Sequence, residues 1–262
     1  MKYNEFKCDS ETVVFASDFH VGNKYTDKDA LNKMVKDVRK NDYHLMILGD
    51  LCECITARDK RFDMGMVDPQ FLCEDMIGAQ YDYVEKLLSP IADKILTIHC
   101  GNHDQAIAKY SHVDMVKDLC KNLDVKYSYY MALSNLVYKQ PGKKTFTYTI
   151  FTEHGAGGGG MRGGRVNSME KLSAHIRFDA AFRGHSHDLL DNVSKEISMS
   201  RFGHMCLKNI YTGSTGSFLS GIMEGDGVAY PEQAGYRPLP IGYLRVSFNP
   251  KEYGIKIEKV IM

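Results

Sequence analysis

The sequence has no excess of charge of either sign and no long hydrophobic run. Lys and Arg together number 33, as do Asp and Glu, so the formal net charge at pH 7 is zero. No overall field attracts polyanions, and any recognition of nucleic acid must come from local patches. No apolar run approaches the ~20 residues needed to span a bilayer. The sequence therefore argues against a strongly basic nucleic-acid binder and predicts no association with a membrane.

A secretory start is also missing. The first residues, MKYNEFKCDSE, are charged and contain no apolar signal region. The seven cysteines are an odd number, and reduced thiols in the cytoplasm are the expected state. Cys52 and Cys54 are separated by one residue, which is neither a CxxC redox motif nor a usual zinc pair. We interpret them as small buried residues of a cytoplasmic protein.

The composition that remains is that of a folded globular protein. Hydrophobic residues make up 44% and charged residues 25% of the 262 residues, which is typical of soluble domains. No internal repeat or clear linker interrupts the chain, so one catalytic domain over residues 1–262 is the simplest organisation. Residues 51–75 fit regular structure least well, and we expect a small insert there at the rim of a site.

Alternating strands and helices predict an α/β fold with two sheets. A buried strand over Val13–Ala16 precedes a helix, whose start is predicted from Thr26 with Asp29, and a second buried strand lies in HLMILGD. This βαβ unit places its two strands parallel. The other predicted elements are a helix over Met76–Leu88, a strand and turn in KILTIHCGNHD, a helix over 112–123, strands from about 127 that include FTYTIFTE, a helix over Ser168–Phe178, and strands in AAFR, CLKNIYTGS, IGYLRVSFN and YGIKIEKVIM.

Five of the predicted strands end in residues of the types that bind metals. The carboxyl ends of strands in open α/β sheets lie along one edge, where ligands bind. In an extended segment residues i and i+2 point the same way, so the two polar residues of D-x-H or H-x-H can face one metal cluster. The candidates, from the motifs SDFH, GD, GNHD, EHG and GHSH, are Asp18, His20, Asp50, Asn102, His103, His154, His185 and His187.

The chemistry of these side chains indicates which metals they suit. Carboxylates, an amide oxygen and neutral imidazoles without a thiolate favour manganese, iron, nickel or zinc. The set is too large for one tetrahedral zinc but large enough for two metals that share a carboxylate. Half of the chain's ten histidines fall in these short motifs, which ordinary turn and core positions do not explain.

Taken together, the motifs resemble those of the calcineurin-like metallophosphoesterase superfamily, whose pattern is D-x-H, G-D, G-N-H-[DE], H and G-H-x-H. All elements occur in that order between residues 18 and 187. The resemblance implies a two-sheet β-sandwich flanked by helices, an αββα arrangement in a single domain. It also implies that the metal pair lies at the sheet edge and that the C-terminal strands belong to the second sheet.

Position by position, the resemblance implies a role for each motif residue. One metal would be held by Asp18, His20, Asp50 and His187, and the other by Asp50, Asn102, His154 and His185, with Asp50 bridging. His103 would donate a proton to the leaving group and would be oriented by Asp104. Two divalent cations are implied, manganese first, with iron, nickel or zinc as alternatives, and a metal-bridging hydroxide would be the nucleophile.

Departures from the pattern point away from one branch of the superfamily. In serine/threonine protein phosphatases the second motif resembles G-D-x-V-D-R-G, and the third motif ends in Glu. Here the second motif reads GDLCECI, with Cys54 in place of that branch's phosphate-gripping Arg, and the third ends in Asp104. The first motif, SDFHVG, also differs. The sequence is more similar to the branch of DNA-repair nucleases, cyclic-nucleotide phosphodiesterases and small-molecule pyrophosphatases.

The expected function is therefore hydrolysis of a phosphodiester or phosphomonoester, with a nucleotide or nucleic acid as substrate. Only 75 of the 262 residues follow His187, which favours a compact phosphodiesterase or phosphatase over a repair nuclease with an extra DNA-binding domain. The alternatives are a compact nuclease and a metal-binding scaffold without catalysis. Arg58, Lys60, Arg61 and the tyrosines of KYSYYM are either substrate contacts or ordinary surface and sheet residues.

A glycine-rich stretch, HGAGGGGMRGGR at 154–165, begins at one candidate ligand. Glycine lets the main chain pass close to a metal pair with positive φ, and clustered amide N–H groups can receive phosphate oxygens. Arg162 and Arg165 are predicted to bind substrate phosphate through forked hydrogen bonds. The stretch is not a P-loop, because no Gly-Lys-Ser/Thr follows. The alternative interpretation of the loop over 155–164 is a flexible connector.

Overall fold

The computed structural model describes residues 1–56, 59, 62–139, 145–157, 161–199, 202–220 and 237–262. Within these residues two β-sheets pack together and helices cover their outer faces. The strands are β1 (Lys2–Cys8), β2 (Thr12–Ala16), β3 (His44–Leu48), β4 (Ile95–His99), β5 (Met131–Tyr138), β6 (Phe146–Glu153), β7 (Ala180–Arg183), β8 (Leu189–Met199), β9 (Met205–Thr215), β10 (Gly242–Asn249) and β11 (Gly254–Ile261). The helices are α1 (Lys28–Asn41), α2 (Met76–Leu88), α3 (Asn102–Ser111), α4 (Met115–Asn122) and α5 (Arg162–Ser173).

The first sheet has the strand order β11-β10-β2-β3-β4, and the second has the order β1-β5-β6-β7-β9-β8. As predicted for the βαβ unit, β2 and β3 are parallel, and β4 extends them in parallel. In the second sheet β6, β7 and β9 are parallel neighbours. The expectation that the C-terminal strands join the second sheet is wrong for β10 and β11, because β10 pairs antiparallel with β2. Of the three C-terminal strands predicted from the sequence, β9 alone lies in the second sheet.

Period-two alternation explains why the central strands read as unbroken apolar runs. In β2, Val13 and Phe15 face the space between the sheets, whereas Val14 and Ala16 face the layer of helices α1, α2 and α4. Across the interface Phe15 stacks on Phe182 of β7 with ring centroids 4.0 Å apart. On the outer face of β7, Ala181 packs in the same cluster as Leu172 near the end of α5. A strand buried on both faces needs no polar alternation, and the αββα fold class is confirmed.

Several predicted boundaries are corrected by the structure. The N-cap of α1 is Asp27, whose carboxylate accepts from the Ala30 N–H, and not Thr26. The region predicted as a helix over 112–123 is α4 alone, since α3 precedes it and His112 between them has a left-handed backbone. Helix α5 begins at Arg162 instead of Ser168. Strands β1 and β8 were not predicted.

The described residues of the range 51–75 contain two short 3₁₀ turns, Met64–Met66 and Pro69–Phe71, among irregular backbone. Arg58, Lys60 and Arg61 lie outside the described residues. Cys52 and Cys54 are buried and form no disulfide, and burial raises the pKa of both thiols, as expected for small core residues. Among the described helices, none has the length and apolar character that crossing a bilayer requires.

Candidate metal centre

The ends of five strands meet at one place between the two sheets. Strands β2, β3 and β4 of the first sheet are followed by the motifs SDFH, GD and GNHD, and strands β6 and β7 of the second by EHG and GHSH. The side chains that these motifs bring together are Asp18, His20, Asp50, Asn102, His103, His154, His185 and His187. All eight predicted candidates thus lie in one cluster.

The backbone that brings these residues together is left-handed, not extended. The φ angles are 55° at Asp18, 50° at His20, 52° at Asp50, 66° at His185 and 55° at His187. The expectation that D-x-H and H-x-H run as extended segments is therefore wrong, although each pair does converge. A left-handed residue turns the chain sharply where a strand ends, and Asp is among the residues that tolerate this region best.

The motif glycines allow backbones to touch. Gly49 has φ 93°, and a Cβ there would lie 2.6 Å from the Gly101 nitrogen. A Cβ on Gly101 would collide with Asp50, and one on Gly184 would lie 2.9 Å from Asp18 Oδ2. Any side chain at these positions would push the ligand carboxylates out of place. The glycines that precede Asp50, Asn102 and His185 are thus packing requirements of the cluster.

One group of potential ligands consists of Asp18, His20 and His187, with ligand atoms within 4.8 Å of one another. Asp18 Oδ1 lies 3.3 Å from His187 Nε2, and the Nε2 atoms of His20 and His187 are 3.1 Å apart. Asp18 Oδ1 is fully buried, and among the described residues no donor meets it in hydrogen-bond geometry. An ionised carboxylate oxygen without a donor is costly in a protein interior, and a cation at this point would satisfy it.

A second group consists of Asp50, His154 and His185, again within 4.8 Å. The amide oxygen of Asn102 lies 3.0 Å from His154 Nε2 and 2.8 Å from His185 Nδ1. On the other side of its ring, His154 Nδ1 donates to the Leu48 carbonyl oxygen at 2.7 Å. This bond fixes the tautomer that aims the Nε2 lone pair of His154 at the cluster.

Asp50 lies between the two groups. Its Oδ2 is 3.9 Å from His20 Nε2 and 3.3 Å from His154 Nε2. Its other oxygen, Oδ1, accepts the His103 backbone N–H at 2.9 Å. One oxygen thus holds the loop in place while the other faces both groups of imidazoles.

The electrostatics of the cluster favour positive charge at its centre. Burial alone would lower the pKa of His20, but the hydrogen bond and charge of Glu53, together with Asp50, raise it to about 9. Burial would also lower the pKa of His154, but the charge and hydrogen bond of Asp50 outweigh this effect and raise it to about 9. Burial would raise the pKa of Asp50, yet His154 and His103 lower it well below its usual value. Oxygen and imidazole donors in such a field fit divalent cations.

His103 and Asp104 begin helix α3, and the structure changes the role expected of Asp104. His103 Nδ1 lies 2.6 Å from the Glu53 carbonyl oxygen. Asp104 accepts the backbone N–H groups of Asp50 and Gly101 at 2.9 and 2.8 Å, and the Tyr81 hydroxyl at 2.7 Å. Side chains at i and i+1 on a helix do not face each other. Asp104 therefore positions the main chain around His103, and the Glu53 carbonyl orients the His103 ring.

Two residues of the site were not assigned a role from the sequence. Glu53 Oε2 lies 2.9 Å from His20 Nδ1, and a carboxylate behind a ligand imidazole fixes its orientation and increases its basicity. Its position three residues after Asp50 was the available signal. Tyr81, on α2, carries no such signal, because only the folded chain places its hydroxyl beside Asp104.

The glycine-rich stretch is shorter as a loop than predicted. Gly155 has φ 90° and follows His154 directly, residues 158–160 lie outside the described part, and Gly163 and Gly164 belong to α5. Arg165 is buried, with Nη1 3.0 Å from Asp188 Oδ2, and the half-exposed Arg162 lies 3.4 Å from Asp188 Oδ1. Both arginines therefore contact Asp188, the residue that directly follows His187 in the sequence.

Comparison with models of known protein families gives one match. The family model of the calcineurin-like phosphoesterases matches residues 11–189, well over half of the chain. No curated protein sequence matches it.

The similar solved structures are distant. YfcE, a phosphoesterase from E. coli, is 15% identical with a TM-score of 0.44, covering 95% of this chain and 98% of that chain. Chaetomium thermophilum Vps29 is 11% identical with a TM-score of 0.42, covering 97% of each chain. A metallophosphoesterase from Sphaerobacter thermophilus is 13% identical with a TM-score of 0.37, covering 95% and 88%. Likenesses this distant say nothing about substrate.

Proposed function

The chain belongs to the calcineurin-like phosphoesterase family, and on that premise we propose that it is a binuclear metal-dependent phosphoesterase. The proposed ligands are Asp18, His20, Asp50 and His187 for one divalent cation and Asp50, Asn102, His154 and His185 for the other. The observation that carries the proposal is the position of Asp50 Oδ2, 3.9 Å from His20 Nε2 and 3.3 Å from His154 Nε2. A carboxylate oxygen that faces both ligand groups supports sharing by two cations.

When bound, the two cations would activate water and neutralise charge on the phosphate, with manganese the first expectation and iron, nickel or zinc the alternatives. His103 would supply the proton for the leaving oxygen, because histidine is the side chain that most often acts as a general acid. A carbonyl oxygen only accepts, so the contact with Glu53 O keeps a hydrogen on Nδ1 of His103 and leaves Nε2 to exchange the proton. The His187 side chain is 27% exposed, which supports entry of substrate from that side.

The proposed substrates are phosphodiesters or phosphomonoesters of nucleotides or nucleic acids, and a compact nuclease is one form of this proposal. Arg162 and Arg165 are proposed to bind substrate phosphate. The support for this is their position: both contact Asp188, the residue after His187. Guanidinium groups bind phosphate through paired, charge-assisted hydrogen bonds. The cytoplasmic location stays a prediction.

The test of the proposal is a metal-supplemented assay combined with a substitution of the shared ligand. Metal-free protein is reconstituted with Mn²⁺ and assayed on bis-p-nitrophenyl phosphate and p-nitrophenyl phosphate. We expect Asp50→Asn to bind fewer than two ions and to lose about two orders of magnitude in turnover, since the amide cannot bridge two cations. The matched control is Asp29→Asn, which removes an exposed carboxylate from the first turn of α1. Two retained ions in Asp50→Asn would contradict the shared-ligand assignment.

The alternative of a metal-binding scaffold predicts a different result in the same experiment. A scaffold would bind metal but hydrolyse neither p-nitrophenyl ester, nor single-stranded DNA, nor cyclic nucleotides. The presence of His103 with a hydrogen-bonded ring beside the ligands argues for catalysis, because a scaffold has no use for a positioned acid.

A further inference from the structure

We propose that a small pocket beside the metal centre binds a second phosphate group of the substrate, distinct from the one that is hydrolysed. The pocket is lined by Arg162, Arg165, Asp188, Arg237, Pro238, Leu239 and Pro240. The proposal rests on the phosphoesterase function above and narrows its substrate class to compounds with at least two phosphate groups. The source of the second phosphate is either a mononucleotide or an oligonucleotide.

The pocket adjoins the metal centre through a single peptide unit. Asp188 follows His187, so their Cα atoms are about 3.8 Å apart. His187 turns its ring toward Asp18 and His20, whereas Asp188 turns its buried carboxylate toward Arg162 and Arg165. Consecutive residues thus belong to the two sites, and we infer that a single small substrate reaches both.

The charge of the pocket calls for an anion. Three guanidinium groups line it, and among the described lining residues the carboxylate is that of Asp188, which contacts both Arg165 and Arg162. Arg165 is 7% exposed and Asp188 is 2% exposed, so this pair forms a fixed floor. Arg162 and Arg237 are the more exposed cations above it. A phosphate offers several acceptor oxygens, which suit the paired N–H donors of the exposed Arg162 and Arg237.

Helix α5 adds to this positive potential. Its first residue is Arg162, and Met161 at the N-cap provides no side-chain acceptor for the first N–H groups. The N-terminus of a helix of this length attracts negative charge. The helix dipole and the arginines therefore both favour an anion in the pocket at the N-terminus of α5.

The size of the pocket limits what it can hold. Its volume of about 140 Å³ is below the roughly 300–1,000 Å³ of sites that enclose whole drug-sized ligands. The wall formed by Pro238, Leu239 and Pro240 contributes two prolines, which have a fixed φ and no N–H donor. Recognition is therefore left to the arginines, and the space suits one phosphate group but not a complete nucleotide.

The experiment compares substrates that differ by one phosphate. The first pair is thymidine 5′-(p-nitrophenyl phosphate) with and without a 3′-phosphate, and the second is a DNA dinucleotide against a trinucleotide. We expect the additional phosphate to raise kcat/KM by about tenfold or more in at least one pair, and the responding pair identifies the source. In the double variant Arg162→Gln/Arg237→Gln this ratio should fall to near one. The control Arg39→Gln, an exposed arginine in the last turn of α1, should keep the wild-type ratio.

A binding measurement separates this proposal from the catalytic one. Calorimetric titration of metal-free protein with inorganic phosphate in chelator should show binding that weakens about tenfold in the double variant and not in Arg39→Gln. If the wild-type protein hydrolyses none of the esters but binds phosphate, and the double variant loses that binding, the pocket is supported and the proposed function is refuted. A wild-type ratio near one in both substrate pairs, or equal phosphate affinity in the double variant, would overturn the pocket.

Discussion

Single residues at this site are held in conformations that cost stability. Five of the seven proposed metal ligands have φ between 50° and 66°, and each non-glycine residue in the left-handed region costs about 1–2 kcal/mol. The surrounding hydrogen bonds, such as those on Asp50 and Asp104, hold this geometry. Strain that clusters at one place in a fold is the mark of a functional site, and here it coincides with the orphaned Asp18 oxygen.

His103→Ala tests the proton-donor role. We expect unchanged metal content and a loss of about 10²–10⁴-fold in turnover for esters with an alkoxide leaving group, the usual contribution of a general acid. For a p-nitrophenyl ester the loss should be much smaller, because p-nitrophenolate departs without a proton. The comparison of the two ester types is the measurement. An equal loss on both would assign His103 to binding and not to proton transfer.

Glu53→Gln tests the carboxylate behind His20. The variant keeps the side chain's size but removes the charge that holds the imidazole through Nδ1 at 2.9 Å. We expect Mn²⁺ affinity to fall about 10–100-fold, as is usual when the outer partner of a ligand histidine is removed. The matched control is Glu252→Gln in the turn between β10 and β11, where the carboxylate is exposed. Equal Mn²⁺ affinity in the two variants would show that Glu53 has no such role.

At the scale of elements, the parts that the sequence predicts are those in which local pattern and tertiary role agree. β2 and β3 are short apolar runs buried on both faces, and α1 has an apolar stripe facing the first sheet. β1, in contrast, alternates charged residues with Phe6 and Cys8, and its strand state depends on pairing with β5. α3 begins inside a metal-binding motif, where Gly-Asn-His-Asp is as typical of a turn as of a helix start.

The candidate site was more predictable from the sequence than the elements around it. Its ligands are short polar motifs after apolar strands, so their convergence follows from topology. The left-handed turns at Asp18 and His185, and the contact of Tyr81 with Asp104, depend on neighbours far away in the sequence. Local pattern does not encode contacts of that kind.

The Asp104 carboxylate forms hydrogen bonds with several elements around the site. It joins the loop after β3, the start of α3 and Tyr81 of α2. Asp104→Ala would leave two buried N–H groups without an acceptor, at about 1–3 kcal/mol each. We therefore expect a loss of about 2–5 kcal/mol in the free energy of unfolding of the metal-free protein, measured by urea denaturation in chelator. Tyr81→Phe should cost about 1 kcal/mol. If Asp104→Ala has the same free energy of unfolding as the wild-type protein, Asp104 does not have this structural role.

At the scale of the whole molecule, the site joins the two sheets. Asp18, Asp50 and Asn102 follow strands of the first sheet, and His154, His185 and His187 follow strands of the second. A cation bound between them would tie the sandwich together at this edge. Ligands that bind only the folded state stabilise it, so binding of the proposed cations would be coupled to folding.

The most direct measurement of the central claim is a titration of metal-free protein with Mn²⁺, followed by electron paramagnetic resonance and by hydrolysis of bis-p-nitrophenyl phosphate. We expect two ions per chain at saturation, with spin coupling between them, because paired sites place their metals about 3.5–4 Å apart. Hydrolysis should rise as the second ion binds. Saturation at one ion per chain, or full hydrolysis with a single uncoupled ion, would contradict the account.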